Sequence, residues 1–126
     1  MNKYLVVILL TLGLTACQTK NEQYYLTHLQ ELQKAVKSCP SQQPQGMTCE
    51  QLQQIAKRMN ELAFQLQLGP QGFGTNILNL QRTIVKQQLE LKQNNNNTEL
   101  KDSIAKNQHE LAFLLAVVKW LESPES

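Results

Sequence analysis

The sequence predicts an all-α protein, a small four-helix bundle made of two αα-hairpins, the first of which is disulfide-linked. Apolar residues recur at helical spacing through most of the chain. Glutamine, a fair helix former, is abundant, whereas aromatic residues make up only 6% of the chain. Two cysteines flank the first predicted turn. The predicted helical domain covers residues 22–122, with hairpins at 22–68 and 75–122.

Residues 1–16 have the form of a secretory signal peptide. Lys3 precedes an apolar run from Tyr4 to Leu10, and small residues lie just before Cys17. The run is too short to span a hydrocarbon core of about 30 Å, which requires roughly 20 apolar residues in a helix. We therefore expect this segment to direct export and to be removed.

The stretch Leu14-Thr15-Ala16-Cys17 resembles the lipobox of bacterial lipoproteins. The resemblance implies that the Cys17 sulfur receives a diacylglycerol, that cleavage falls before Cys17, and that the new amine is acylated. Several acyl chains anchor a protein stably, and residues 17–21 then form a lipidated tether. The alternative is an ordinary secretory signal that happens to lie beside a cysteine.

Gln18 bears on which membrane holds the anchor. In Gram-negative lipoproteins an aspartate after the acylated cysteine tends to mean retention in the inner membrane, and Gln18 stands there instead. The resemblance therefore implies an outer-membrane location on the periplasmic side, with the inner membrane as the alternative.

The first hairpin is predicted from its apolar stripes and its stop and start signals. The first helix begins near Glu22 with Asn21 as N-cap and ends at Cys39-Pro40. The second begins with a Thr-x-x-Gln capping box at residues 48–51 and stops at Gly69-Pro70. The apolar stripes are Tyr25, Leu29, Leu32 and Val36 in the first helix, and Leu52, Ile55, Met59, Leu62 and Leu66 in the second.

Cys39 and Cys49 are an even pair once Cys17 is acylated, and an exported chain enters an oxidising compartment. We predict a structural disulfide, which would stabilise so short a loop by about 2–3 kcal/mol. The alternatives are a metal pair or a redox pair, but the sequence has no Cys-x-x-Cys spacing, and His28 and His109 are isolated.

The second hairpin is predicted to follow a flexible joint at residues 71–74, with Thr75 capping the third helix. The run Asn94–Asn97 is predicted as a loop because asparagine side chains compete with helical backbone bonds, and Asn97 or Thr98 caps the fourth helix. Residues 123–126 are predicted as a frayed tail. The third helix shows Ile77, Leu80, Ile84 and Leu91, with Leu78, Val85 and Leu89 on an adjoining stripe.

The fourth helix carries two features whose interpretation stays open. Asn107 falls within an otherwise apolar heptad stripe, where a buried asparagine fixes register and a peripheral one is simply solvated. Residues 112–121 are apolar on nearly every face. Such a segment is either buried in the core or partly exposed as a surface for a partner.

Composition and motifs exclude several function classes. The formal net charge of +2 comes with no basic run, which argues against nucleic-acid binding. No histidine has metal-ligand spacing, no strand precedes the glycines near residue 72, and no nucleophile motif occurs. We predict a non-enzymatic protein without catalytic residues, cofactor or metal.

Residues 24–49 resemble the small entry-exclusion (EexN-like) lipoproteins, which carry a Tyr-Tyr-Leu-x-His-Pro-x-Glu segment after the acylated cysteine and then two further cysteines. Leu29 stands where that family usually has proline, and the second hairpin has no counterpart. The resemblance implies action by contact with a type IV secretion or conjugation apparatus. The alternative is that these residues serve packing. The matching positions are Tyr24, Tyr25, Leu26, His28, Glu31, Cys39 and Cys49.

The functional hypothesis is a membrane-anchored periplasmic lipoprotein that binds a protein partner in the envelope, with an entry-exclusion-like or pilotin-like role. Because large aromatic residues dominate interface energetics, we predict Phe73, Phe113 and Trp120 as its contact residues. The alternative is a structural envelope lipoprotein that self-associates through its helices as a homo-oligomer.

Overall fold

The computed structural model describes residues 21–42 and 46–123, which form five α-helices and no strand. The all-α prediction is confirmed for these residues, which form five helices rather than the four that we predicted. They are α1 (Glu22–Thr27), α2 (Leu29–Lys37), α3 (Cys49–Leu68), α4 (Pro70–Gln93) and α5 (Thr98–Glu122).

Three helices begin at the caps that the sequence predicts. The Asn21 side chain accepts a hydrogen bond from the backbone N–H of Tyr24 at 3.0 Å. Thr48 and Gln51 form the predicted reciprocal capping box, with distances of 3.1 and 2.9 Å. Asn97 caps α5. These side chains satisfy N–H groups that a helix start leaves without a partner.

The predicted first helix is interrupted at His28, which separates α1 from α2. The Thr27 hydroxyl donates to the carbonyls of Gln23 and Tyr24, each at 3.2 Å. The His28 Nδ1 atom lies 2.8 Å from the same Tyr24 carbonyl. Two side chains thus compete for a carbonyl that a continuous helix would use, and His28 adopts φ −123° and ψ 69°.

The predicted flexible joint at residues 71–74 is wrong, because α4 begins at Pro70 and includes this segment. Proline fits the first position of a helix, where its missing N–H has no intrahelical partner to lose. Phe73 is buried at 5% exposure, which anchors the first turn. The Thr75 hydroxyl donates to the Gln71 carbonyl at 2.9 Å inside the helix and caps nothing.

The predicted disulfide is confirmed: Cys39 and Cys49 are bonded, with their Cα atoms 5.9 Å apart. It joins the end of α2 to the start of α3, so the connection between these helices is closed covalently. Met47, inside the closed loop, is buried at 6% exposure. The loop therefore contributes a side chain to the core as well as a crosslink.

The last helix, α5, is the centre of the fold because it packs against each of the other four helices. Within residues 112–121, Phe113, Leu114 and Val117 are buried, whereas Leu115 is 45% exposed. This segment is therefore mainly core. The main core consists of Tyr25, Leu29, Leu32, Met47, Leu52, Ile55, Met59, Ala63, Phe73, Phe113, Leu114 and Val117.

A polar cluster joins α4 to α5 at some distance from the main core. The Asn107 amide donates to the Gln87 side-chain oxygen at 3.0 Å. The Gln87 amide in turn donates to the Ser103 hydroxyl at 2.8 Å. All three residues are half-buried. Asn107 thus lies in the helix–helix seam with a specific partner, as a register-fixing residue requires.

The structure tests the predictions about membrane insertion and about the chain ends only in part. None of the helices within residues 21–42 and 46–123 is long and apolar enough to cross a membrane. The predicted signal peptide at 1–16, the predicted acylation site Cys17 and tail residues 124–126 lie outside the described residues.

Candidate functional site

A pocket lies where the break between α1 and α2 meets the end of α5. Its volume is about 370 Å³, and small-ligand pockets typically span about 300–1,000 Å³. The lining combines aromatic, apolar and charged side chains. The lining residues are Tyr24, Thr27, His28, Leu29, Gln30, Glu31, Ala116, Lys119, Trp120 and Ser123.

The helix break positions two aromatic rings at this pocket. The rings of Tyr24 and His28 stack with centroids 4.0 Å apart and planes 10° apart. Because a carbonyl oxygen only accepts hydrogen bonds, the contact with the Tyr24 carbonyl assigns the proton to His28 Nδ1. In the neutral ring the Nε2 atom is then a hydrogen-bond acceptor. His28 is exposed and can offer this acceptor to a ligand.

Trp120 forms the α5 side of the pocket. Its Nε1–H is buried and has no hydrogen-bond partner among the described residues. A buried donor without a partner costs about 1–3 kcal/mol. A ligand or partner that uncovered this N–H and brought an acceptor to it would recover part of that free energy on binding.

Two opposite charges, Glu31 and Lys119, complete the lining. The Glu31 carboxylate lies 3.7 Å from the Lys34 ammonium, and both side chains are more than a third exposed, so this pair contributes little to stability. The pocket thus offers aromatic surfaces, an imidazole acceptor and both charge signs. These features suit binding of a polar or peptidic group.

The three predicted contact residues do not come together. Phe113 is fully buried at 0% exposure and Phe73 is buried at 5%. A partner cannot reach either ring without unfolding the core, so the prediction of these two as contacts is wrong. Trp120 is half-buried and lines the pocket. All three residues were predicted only because they are large and aromatic. Their burial distinguishes the two core phenylalanines from the accessible Trp120.

The sequence reasoning missed Tyr24, His28 and the neighbouring turn as members of one site. A continuous first helix would leave His28 as a surface residue beside the core stripe. The signal that could have located the site is the pair Thr27-His28, because two adjacent side chains can hydrogen-bond to preceding carbonyls and end a helix.

The histidines of the described residues are candidate metal ligands by residue type. Within the described parts of the chain, no group of three or more histidine, cysteine, aspartate or glutamate side chains could hold a metal ion. The nearest imidazole outside the pocket, His109, instead has its Nε2 atom 2.9 Å from the Gln23 amide nitrogen. That contact ties α5 to α1.

Comparison with known proteins gives no match for this chain. No family model matches the sequence, no curated protein matches it, and no solved structure matches the fold.

Proposed function

We propose that this chain is a non-enzymatic, membrane-anchored envelope lipoprotein that binds a protein partner through the pocket formed by Tyr24, His28 and Trp120. The observation that carries the proposal is the meeting of the stacked Tyr24–His28 pair with the Trp120 indole in one concave site. Aromatic side chains in pockets are the residues that contribute most binding free energy at protein interfaces.

The polar groups of the pocket favour a peptide as the bound element. A peptide backbone carries one donor and one acceptor on each residue other than proline. The Trp120 N–H is enclosed in the free protein and donates to a peptide carbonyl once binding uncovers the edge of the indole, and the His28 Nε2 atom can accept from a peptide N–H. An apolar side chain of the peptide can pack against Ala116, which also lines the site and is half-buried.

The proposed anchor places this pocket near a membrane surface. A chain extends by at most about 3.6 Å per residue, so a tether of residues 17–21 keeps the start of α1 within about 20 Å of a lipid on Cys17. Tyr24 belongs to the first turn of α1. The proposed mechanism is positional: the lipid confines the protein to the bilayer, and the pocket holds a partner there.

The local resemblance to entry-exclusion lipoproteins supports a partner in a secretion or conjugation apparatus. Of the matching positions, Tyr24, His28 and Glu31 line the pocket, while Tyr25 is buried in the core. Leu29, where that family usually has proline, is the first residue of α2, a position that proline favours. An entry-exclusion-like or pilotin-like role is therefore the form of partner binding that we propose.

We also propose that the bundle consists of two αα-hairpins, and that the first hairpin packs against α5 of the second. The packing of α2 against α3 and of α4 against α5 supports this arrangement. The first hairpin then includes α1, the break at His28 and the disulfide. In this arrangement the pocket lies between the two hairpins.

Site-directed photo-crosslinking in living cells tests the proposed function. A photoreactive residue replaces Lys119, which is exposed and lines the pocket, and Lys101, exposed on the same helix outside the lining, is the matched control. We expect one defined protein adduct from position 119 and none from position 101. The same adducts from both positions, or no protein adduct from position 119, would contradict the proposal.

A substitution at Trp120 separates binding from folding. Trp120→Phe keeps an aromatic ring and removes the N–H that has no partner among the described residues. We predict that the thermal unfolding midpoint stays within a few degrees of the native value, while the adduct from position 119 falls by about tenfold, the effect of about 1.4 kcal/mol. An undiminished adduct would show that the indole N–H takes no part in binding.

A further inference from the structure

The fourth helix has a second apolar face, beside its packing face. Leu78, Val85 and Leu89 are 45%, 55% and 56% exposed. With about 3.6 residues per turn, these three residues align with one another and lie about 120° around the helix from Ile84, which is buried at 6% exposure. None of the other described helices covers this face. The face is therefore accessible from Leu78 to Leu89.

The spacing of this face is that of a coiled-coil seam. Leu78, Arg82, Val85, Leu89 and Lys92 follow one another at intervals of four, three, four and three residues. This alternation has the period of 3.5 residues that keeps one stripe of a helix against a partner helix. We call these five residues the α4 seam.

The charges on and beside the α4 seam all have one sign. Arg82 and Lys92 occupy seam positions, and Lys86 lies in the row beside them. The other flanking positions are amides, namely Asn79, Gln81, Gln88 and Gln93. The acidic residue of this stretch, Glu90, lies outside the seam and its two flanking rows. The face is thus apolar, and the charged residues on and beside it, Arg82, Lys86 and Lys92, are all cationic; we call these three the cationic frame.

This frame disfavours a second copy of the chain as the occupant. Parallel pairing of two α4 helices would place Arg82 against Arg82 and Lys92 against Lys92. Antiparallel pairing about Val85 would place Arg82 against Leu89 and Lys92 against Leu78. In the parallel pair the facing cations repel each other, and in the antiparallel pair each cation faces an apolar side chain. Both arrangements are unfavourable, so the seam discriminates against pairing with a second copy.

We propose that the α4 seam docks an amphipathic helix of another protein, with leucine-like residues along its seam and acidic residues facing Arg82 and Lys92. Charge complementarity selects this occupant, because carboxylates at the two facing positions would convert both unfavourable seam positions into ion pairs beside an apolar contact. The face is on α4, away from the pocket at Trp120, so the inference stands or falls separately from the proposed function.

An anionic membrane is less suited to this face. Helices that lie in a bilayer interface typically combine a broad apolar face with aromatic residues such as tryptophan and phenylalanine. The α4 seam has one narrow row of aliphatic side chains with cations inside the row itself. These features match helix pairing better than insertion among lipid headgroups.

A pair of synthetic helical peptides tests the proposal. One peptide has leucine at the seam positions and glutamate at the two positions facing Arg82 and Lys92, and the matched control has lysine at those two positions. Binding to the purified full-length protein in detergent is measured by fluorescence anisotropy of the labelled peptide. We expect the glutamate peptide to bind at least about tenfold more tightly than the lysine peptide.

The charge-swapped protein Arg82→Glu/Lys92→Glu should reverse that preference. Both positions are exposed, and far-UV circular dichroism checks that the helical content is retained. Equal binding of the two peptides, or a glutamate peptide that binds the charge-swapped protein equally well, would overturn the proposal.

Two further outcomes would assign the face to a different occupant and also overturn the proposal. One is a concentration-dependent dimer in sedimentation equilibrium that Val85→Lys abolishes, which would indicate self-association. The other, measured with Cys17→Ser protein in detergent-free buffer, is displacement of the glutamate peptide by vesicles of phosphatidylcholine with phosphatidylglycerol, but not by vesicles of phosphatidylcholine alone. That result would indicate an anionic membrane surface.

Discussion

Phe113 illustrates how packing decides the role of a single residue. Its side chain is fully buried, and the guanidinium of Arg58 lies 5.2 Å from the centre of its ring. Arg58 also pairs with Glu110, one turn earlier on α5. The ring is therefore a core element covered by a cation from α3, and the Arg58–Glu110 pair fixes that cover in place.

We predict that Phe113→Ala lowers the free energy of unfolding by about 3–5 kcal/mol, because it removes a fully buried ring and leaves a cavity. Chemical denaturation monitored by circular dichroism measures the change. The matched control is Leu115→Ala on the same helix, where the side chain is 45% exposed and the expected loss is about 1 kcal/mol or less. Losses of equal size in the two variants would contradict this burial pattern.

At the scale of the helix, the glycines of α4 show why one predicted element was wrong. Gly72 and Gly74 indicate a joint when read locally, because glycine costs about 1 kcal/mol relative to alanine inside a helix. Burial of Phe73 between them and the proline at the helix start outweigh that cost. A Cβ atom built at either glycine meets nothing within 4 Å.

We predict that Gly72→Ala and Gly74→Ala each raise the free energy of unfolding by about 0.4–1 kcal/mol, because alanine reduces the entropy of the unfolded chain without a clash. Thermal unfolding measures this gain as a higher midpoint. A lower midpoint for both variants would mean that residues 71–74 form the flexible joint that the glycines indicate locally.

The disulfide is the second element-scale feature with a measurable consequence. The crosslink spans a sequence separation of 10 residues, for which the loss of loop entropy predicts a stabilisation of about 2–3 kcal/mol. We predict that Cys39→Ser/Cys49→Ser lowers the free energy of unfolding by that amount while helical content is retained. Identical denaturation midpoints for the two proteins, both under non-reducing conditions, would contradict a stabilising role.

The elements that the sequence predicts well are those with local signals. Asn21, Thr48 and Asn97 are predicted as caps, or as one of two candidates in the last case, because their side chains satisfy nearby backbone groups. The pairing of Cys39 with Cys49 is predicted from the expected oxidising compartment and from the even number of cysteines that remain when Cys17 is set aside. The break at His28 depends on side chains that compete for a backbone carbonyl, and the burial of Phe73 depends on tertiary packing. Apolar periodicity indicates neither of these.

At the scale of the whole molecule, α5 connects the proposed functional surfaces. Its end carries Trp120 in the pocket, its middle supplies the core, and its first half joins α4 through Asn107 and Gln87. The pocket could not be predicted from the sequence, because it combines α1, α2 and α5 residues that are distant along the chain. The proposed α4 seam uses the Leu78, Val85 and Leu89 stripe that the sequence does display.

The central claim is that anchoring and binding act together, and one measurement tests it directly. Cells express the protein with a photoreactive residue at position 119, with Cys17 intact or with Cys17→Ser, and the adducts are followed in membrane and soluble fractions. We predict one defined adduct in the membrane fraction with Cys17 intact, and its loss when Cys17→Ser prevents acylation. The same adduct at the same yield in both proteins would contradict the account.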